Sequence, residues 1–291
     1  MKRANVLGAA LVVTGVLASA VPAAAQVTVG ADGSLFSSYV WRGLSLTNKP
    51  VLQPDVYVTF PAGKASVTVG GWANIDLGKY DDLDDDISES GGLSSFNFAE
   101  FDPWIEASFP VGEKTTLTAG ATAYIYPNDT DVSPNGGFGT DANTVELYAK
   151  AAFDVPLSPK LAMWYDVDKI KGAYFEGSIS HTVPASEKVG IALGALVGFN
   201  AGQGVPEDLN SDESFNFFDN GFTHLDLSAG VPLTAGVLSI TPVLHLVING
   251  DDFTKFTSPT DESDAKLWGG VTVSWSKDYG EAAEEEAAET E

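Results

Sequence analysis

The fold class this sequence predicts is all-β: a transmembrane, antiparallel, up-and-down barrel of about twelve strands. Three observations predict it. Apolar and polar residues alternate with a period of two over most of the chain. Five short connections of one kind recur, each an apolar residue followed by proline and a few turn residues. The connections between them are longer and polar, which segregates long loops to one end and tight turns to the other.

Composition narrows the class further. Among 291 residues, 44% are hydrophobic and only 19% charged, so this is not an acidic disordered chain. The 15 basic residues face 40 acidic ones, and a formal charge of −25 argues against nucleic acid as a partner. With no cysteine, neither a disulfide framework nor a cysteine-ligated metal is available.

Residues 1–25 read as a cleavable signal peptide. Lys2 and Arg3 precede an apolar run from Val6 to Leu17, and Ala23, Ala24 and Ala25 supply the small-residue cleavage site before Gln26. No later segment is a continuous apolar stretch of transmembrane length. A mature chain that crosses a membrane must then do so as a closed barrel, in which every backbone group is paired.

The barrel is expected over residues 26–275. Alternating segments run through Ser66–Leu77, Thr115–Ile125, Asn143–Val155, Val189–Phe199, Thr223–Val231, Leu238–Ile248 and Lys266–Trp275. The proline turns are Phe60–Lys64, Phe109–Lys114, Val155–Lys160, Val183–Lys188 and Val231–Gly236. Between them lie the loops Gly43–Pro50, Gly78–Ser95, Pro127–Asp141, Asp168–Gly172, Asn200–Gly221 and Gly250–Asp264. Six loops and five turns make twelve strands. Phe60, Phe109, Phe153 and Trp275 fall at the turn ends, whereas Tyr39, Trp41, Ile125, Tyr126, Tyr165, Phe175 and Phe199 fall toward the loop ends, as two interfacial belts would.

In a membrane barrel the apolar face meets lipid and the polar face lines the lumen. The expected lumen-lining set on the first half of the wall is Asp55, Tyr57, Trp72, Asp76, Trp104 and Glu106. The second half adds Glu146, Tyr148, Lys150, Trp164, Asp166, Glu176, Asp226, His245 and Lys266. Arg42 joins them if Leu35, Tyr39 and Trp41 face lipid, placing it beside Asp55 and near the final strand; Lys150 has Asp166 on the following strand as a partner. Acids outnumber bases in this set, so a water-filled lumen should weakly favour cations.

Ser38–Gly43 followed by Pro50–Pro54 and an alternating Asp55–Phe60 strand resembles the start of the TorF-type porin family. Members of that family open with a strand ending in Tyr-aromatic-Arg-Gly and continue with a Gln-containing second strand. The resemblance covers about residues 34–60. It implies a small outer-membrane barrel for passive solute diffusion, with no catalytic residues to carry over. Lys266–Trp275 also resembles the closing signal read by the barrel-insertion machinery, although an acidic, periplasmic tail over 276–291 follows it.

Other chemistry finds little support. His181, His224 and His245 lack metal-ligand spacing, and no cofactor or metal is expected. Ser180 and His181 are adjacent, so on a strand they point to opposite faces and make a poor lipase pair. The run Asp81–Asp86 has Ile87 where an EF-hand loop needs its turn-making glycine. The expected function is passive diffusion of small hydrophilic solutes across the outer membrane of a Gram-negative bacterium, with lipid, lipopolysaccharide and the insertion machinery as surroundings. A non-conducting structural or surface-interaction barrel is the alternative, and a lipid-modifying enzyme the remoter one.

Overall fold

The structure is a computed structural model that describes residues 26–78, 96–127, 143–186, 189–203, 220–250 and 265–280. The expected signal segment, the Asp81–Asp86 run and the acidic residues after Gly280 lie outside the described residues. The strands are β1 (Val27–Phe36), β2 (Tyr39–Trp41), β3 (Leu44–Thr47), β4 (Val51–Ala62) and β5 (Ala65–Asp76). Next come β6 (Asn97–Val111), β7 (Thr115–Tyr124), β8 (Thr144–Phe153), β9 (Lys160–Asp166) and β10 (Ala173–Pro184). The chain closes with β11 (Gly190–Ala201), β12 (Gly221–Gly230), β13 (Leu233–Ala235), β14 (Leu238–Asn249) and β15 (Ala265–Tyr279).

Twelve of these strands form the wall. Each pairs antiparallel with its neighbours, β1 meets both β4 and β15, and β12 meets β14, so the sheet closes on itself. Closure leaves no unpaired edge, which is what a sheet in hydrocarbon requires. Among the described residues no helix is long and apolar enough to cross a membrane. The last strand continues past Trp275 to Tyr279, pairing Ser276–Tyr279 with Val27–Gly30, so the wall reaches into what the sequence assigns to the tail.

The proline turns are tight; Pro61, Pro110 and Pro184 sit in the final rungs rather than beyond them, whereas Pro156 and Pro232 lie outside the strands. Pro61 opposes Ser66 and Pro110 opposes Thr116, with Gly63 and Gly112 at φ 66 and 67 making the reversals. The fifth turn is displaced to Gly236-Val237, because β13 adds a short rung against Leu238–Ile240. Proline marks the wall elsewhere too. Between Leu52 and Asp55 the β4–β5 ladder is interrupted at Gln53 and Pro54, where Pro54 has no N–H to give.

Alternation sets the two faces. Val56, Leu147, Leu161, Leu244 and Leu267 stand on the outer surface, from 51% to 69% exposed. A band of exposed aliphatic side chains on every part of the wall is far larger than a water-facing surface carries. Leu35 belongs to it, and so do Tyr165, Phe175 and Phe199 of the expected loop-end belt.

Among the described residues, the core is inside the barrel and lies mostly toward its loop end. Residues 37–50, expected to end the first strand and form a loop, fold inward as the hairpin β2–β3, a two-stranded sheet separate from the wall. Leu44 and Val51 are fully buried, and Ser38, Tyr39, Arg42, Ser45, Thr47 and Lys49 are buried with them. Arg42 (φ 50) and Gly43 (φ 85) make the two-residue reversal between Trp41 and Leu44, both left-handed, which is the conformation that follows strand twist in a tight hairpin.

Candidate functional site

Arg42 is the centre of the hairpin's attachment. Its Nη1 donates to Glu146 Oε1 at 2.9 Å and its Nη2 to Oε2 at 2.6 Å, a two-point guanidinium–carboxylate pair. Gln203 Nε2 donates to Oε1 at 2.6 Å and the Tyr124 hydroxyl to Oε2 at 2.7 Å. Each carboxylate oxygen thus accepts two donors, which saturates Glu146. Arg42 Nη1 also donates to Gln203 Oε1. The guanidinium carbon lies 4.3 Å from the Trp41 ring centre, 4.4 Å from Tyr174 and 5.3 Å from Trp164. Planar charge against aromatic faces is attractive and tolerates loss of water.

Further contacts fix the hairpin around the lumen. Tyr39 donates its hydroxyl to Glu100 on β6 at 2.9 Å and packs 5.6 Å from Trp72 on β5. Trp41 meets Tyr124 on β7 edge-on at 6.3 Å. Lys266 on β15 donates to Ser45 Oγ and Asn48 Oδ1. Gly43 lies so close to His224 on β12 that a Cβ there would come within 2.6 Å of the imidazole. Only the interior of the barrel allows one short segment to touch β5, β6, β7, β8, β12 and β15 together.

These contacts correct three expectations. Arg42 is not on the wall beside Asp55; it reaches Glu146 on β8, because the first strand ends at Phe36 and the chain turns inward. Tyr39 and Trp41 do not face lipid, since their rings and polar atoms find partners inside. Lys150 does not pair with Asp166 but with Glu106, at 3.1 Å. Register explains it: Asp166 stands opposite Glu146, and Lys150 opposite Ala162. Asp166 instead holds the next loop, accepting from the backbone N–H groups of Asp168 and Ile170 at 3.0 Å and Lys171 at 3.3 Å.

The other expected lining residues share the side that touches the hairpin. Asp55 accepts from Trp104 Nε1 at 3.2 Å, and Tyr57 and Trp104 lie 6.4 Å apart. The Tyr57 ring lies over Gly30 and the Trp104 ring over Gly70, where a Cβ would come within 2.1 and 2.5 Å of them. Asp76 accepts from Asn74 at 2.8 Å, and Glu176 from the Tyr174 hydroxyl at 3.2 Å. Asp226 meets His245 Nδ1 at 3.0 Å, and His245 stacks on Trp268 at 4.3 Å. Ser180 and His181 oppose Gly194 and Leu193, so they alternate between the two faces and form no pair.

Water access changes steeply with depth. The Arg42 and Glu146 side chains are 5% and 3% exposed, whereas Lys150 and Glu106 are 42% and 23% exposed. Glu146 and Lys150 are both on β8, about 13 Å apart along it at ordinary strand rise. Toward the turns the inward face is lined by hydroxyl pairs, Thr59 with Thr68 and Ser108 with Thr118, at 2.9 and 2.8 Å. Among the described residues, the inward side chains are therefore more exposed toward the turns and buried around the hairpin at the loop side.

A profile of the bacterial family Gcw_chp, a bacterial protein of unknown function, matches residues 20–235. The chain belongs to this family. No curated protein matches it significantly. Among solved structures it is similar to an outer-membrane channel from Pseudomonas putida F1 (10% identity, 89% of this chain and 97% of that one, TM-score 0.46). It is also similar to LpxR from Salmonella typhimurium (6% identity, 85% and 99%, TM-score 0.43). The translocator domain of autotransporter NalP from Neisseria meningitidis shows the same level of likeness (10% identity, 94% and 95%, TM-score 0.40). Likeness at this level singles out none of them as a guide to function.

Several residues of the Gcw_chp chain's site escaped the sequence reading. Glu100 and Asp102 share the β6 face of Trp104 and Glu106, Tyr174 the β10 face of Glu176, and His224 the β12 face of Asp226, so alternation alone could have found them. Gln203 follows the end of β11 and carries no such signal.

Proposed function

We propose that this Gcw_chp protein is an outer-membrane channel for passive passage of small hydrophilic solutes, narrowed at its loop end by hairpin β2–β3. The observation that carries the reading is the hairpin's independence. It forms its own sheet, bonds to the wall through side chains, and lies across a lumen whose inward side chains are more exposed on the turn side. A constriction built from a loop can be tuned without altering the wall, whose closure the membrane demands. The exposed aliphatic band supports the location, and the resemblance of residues 34–60 to TorF-type porins agrees with the function.

A weak preference for cations fits the partly exposed inward carboxylates Asp32 and Asp55, with Asp226 beside His245, since Lys150 already pairs with Glu106. The closing strand ends with Tyr279 on the outward face that also carries Trp275 and Val273, which suits recognition by the barrel-insertion machinery. A second reading, a closed structural barrel, draws on the saturation of Glu146, since a fully satisfied buried network resists opening.

Planar-bilayer conductance with liposome swelling separates the two. Residues 38–49 would be replaced by a short Gly-Ser bridge in the otherwise intact chain. The channel reading expects discrete conductance from the wild type and a larger one from the shortened variant, with reversal potentials in a salt gradient of the cation-preferring sign. Silence from both proteins overturns it.

A further inference from the structure

The wall residues that receive Arg42 make a binding site in their own right. Glu146 offers two oxygens in the plane of a guanidinium, Gln203 offers a third acceptor, and Trp164 and Tyr174 give it aromatic faces. All four belong to or follow wall strands, while Arg42 belongs to the separate hairpin. An ammonium would fill such a site poorly, because a point charge cannot use the fork of acceptors and the aromatic faces together.

We propose that this cage is a guanidinium site for solutes, and that Arg42 is its tethered occupant. A solute carrying a guanidinium group, such as a free arginine side chain or a small alkylguanidine, competes with Arg42 for Glu146. When it wins, the hairpin loses the pair that holds its turn against β8. The tether sets the balance: a ligand on the same chain acts at an effective concentration of roughly millimolar. Wild-type protein therefore responds only to millimolar solute, and the site discriminates by shape as well as charge. This rests on the channel reading for its consequence, but the binding does not.

The test is a titration of methylguanidinium, with ethylammonium as control, into Arg42→Ala in detergent micelles, followed by tryptophan fluorescence. Trp41 and Trp164 border the vacated position and report its filling. Saturable binding at least tenfold tighter than in the wild type is expected, absent in the double variant Arg42→Ala with Glu146→Gln and absent with ethylammonium. Should Arg42→Ala fail to give a heat-modifiable barrel, Arg42→Lys serves, since methylguanidinium should displace the poorly matched ammonium. Equal responses to both cations, or the same response with and without the Glu146 carboxylate, overturn the proposal. Binding without any conductance in the same protein keeps the site and overturns the channel reading instead.

Discussion

Arg42 and Glu146 lie 104 positions apart in sequence and meet buried inside the barrel through contacts of 2.9 and 2.6 Å. Desolvating both ions is expensive, and their attraction together with the donors around Glu146 offsets that cost only while both are present. A buried pair of this kind contributes little net stability, but it decides position. Here it decides where the turn of the hairpin rests.

Removing the acceptor should release the hairpin. Glu146→Ala leaves a guanidinium buried without its counter-charge, a loss of about 3–5 kcal/mol that the hairpin escapes by moving into water. The chain contains no cysteine, so Ser45→Cys provides a single thiol at a position 4% exposed, and carrying it in both backgrounds makes any loss of the Lys266 contact common to them. Labelling of that thiol by a water-soluble maleimide should be slow in an otherwise native background and about tenfold or more faster with Glu146→Ala. Equal rates would show that the pair does not hold the hairpin.

A second device lies one layer further out. Gly172 faces the backbone of Gly202, where an added Cβ would come within 2.0 Å of the carbonyl oxygen. Backbone cannot yield as a flexible side chain does, so Gly172→Ala must push Gly202 and Gln203 away. Gln203 then loses its bond to Glu146. The same thiol reporter should speed up, though less than with Glu146→Ala, and unchanged labelling would place Gln203 outside the latch.

The wall was legible in the sequence because its physics is periodic. Thr144–Phe153 alternates without a break, and every rung pairs as that alternation requires. The hairpin was not legible, because β2 and β3 are only 3 and 4 residues long and no period can be read over so few. Their burial comes from tertiary contacts with distant strands, as Tyr39 with Trp72 and with Glu100, 61 positions on, illustrates. The one local trace was Arg42-Gly43, a dipeptide ending in glycine between two apolar stretches, which can mark a two-residue reversal as readily as the end of a strand. Lys150 with Asp166 failed for a related reason: adjacency of strands was read, but register was not, and a shift of four residues separates the two partners.

Aromatic rings pack close over glycines on the inward face, as Trp104 over Gly70 shows. Gly70→Ala puts a methyl group where the indole lies and should destabilise the barrel by about 1–3 kcal/mol. Adding Trp104→Ala removes the obstruction, so the double variant should lose less than the two single losses combined. Urea unfolding in lipid vesicles measures all three. Simple additivity would mean that the ring moves aside at no cost and that the pairing is incidental.

The identity of the solvent outside the wall can be tested at Leu147, which is 51% exposed and neighbours Glu146 on the opposite face. If that surface met water, Leu147→Arg would change stability by no more than about 0.5 kcal/mol, as ordinary surface substitutions do. In hydrocarbon the same change costs about 2–4 kcal/mol near the bilayer midplane. Thr59→Lys, on the inward face opposite Thr28 and Thr68, should fall in the smaller range even in a membrane, because its ammonium can reach lumen water. Vesicle-based unfolding of the two variants therefore compares the two faces of one wall. A large loss for Leu147→Arg with a small one for Thr59→Lys requires lipid outside and water within; the reverse order would turn the barrel inside out as a soluble protein.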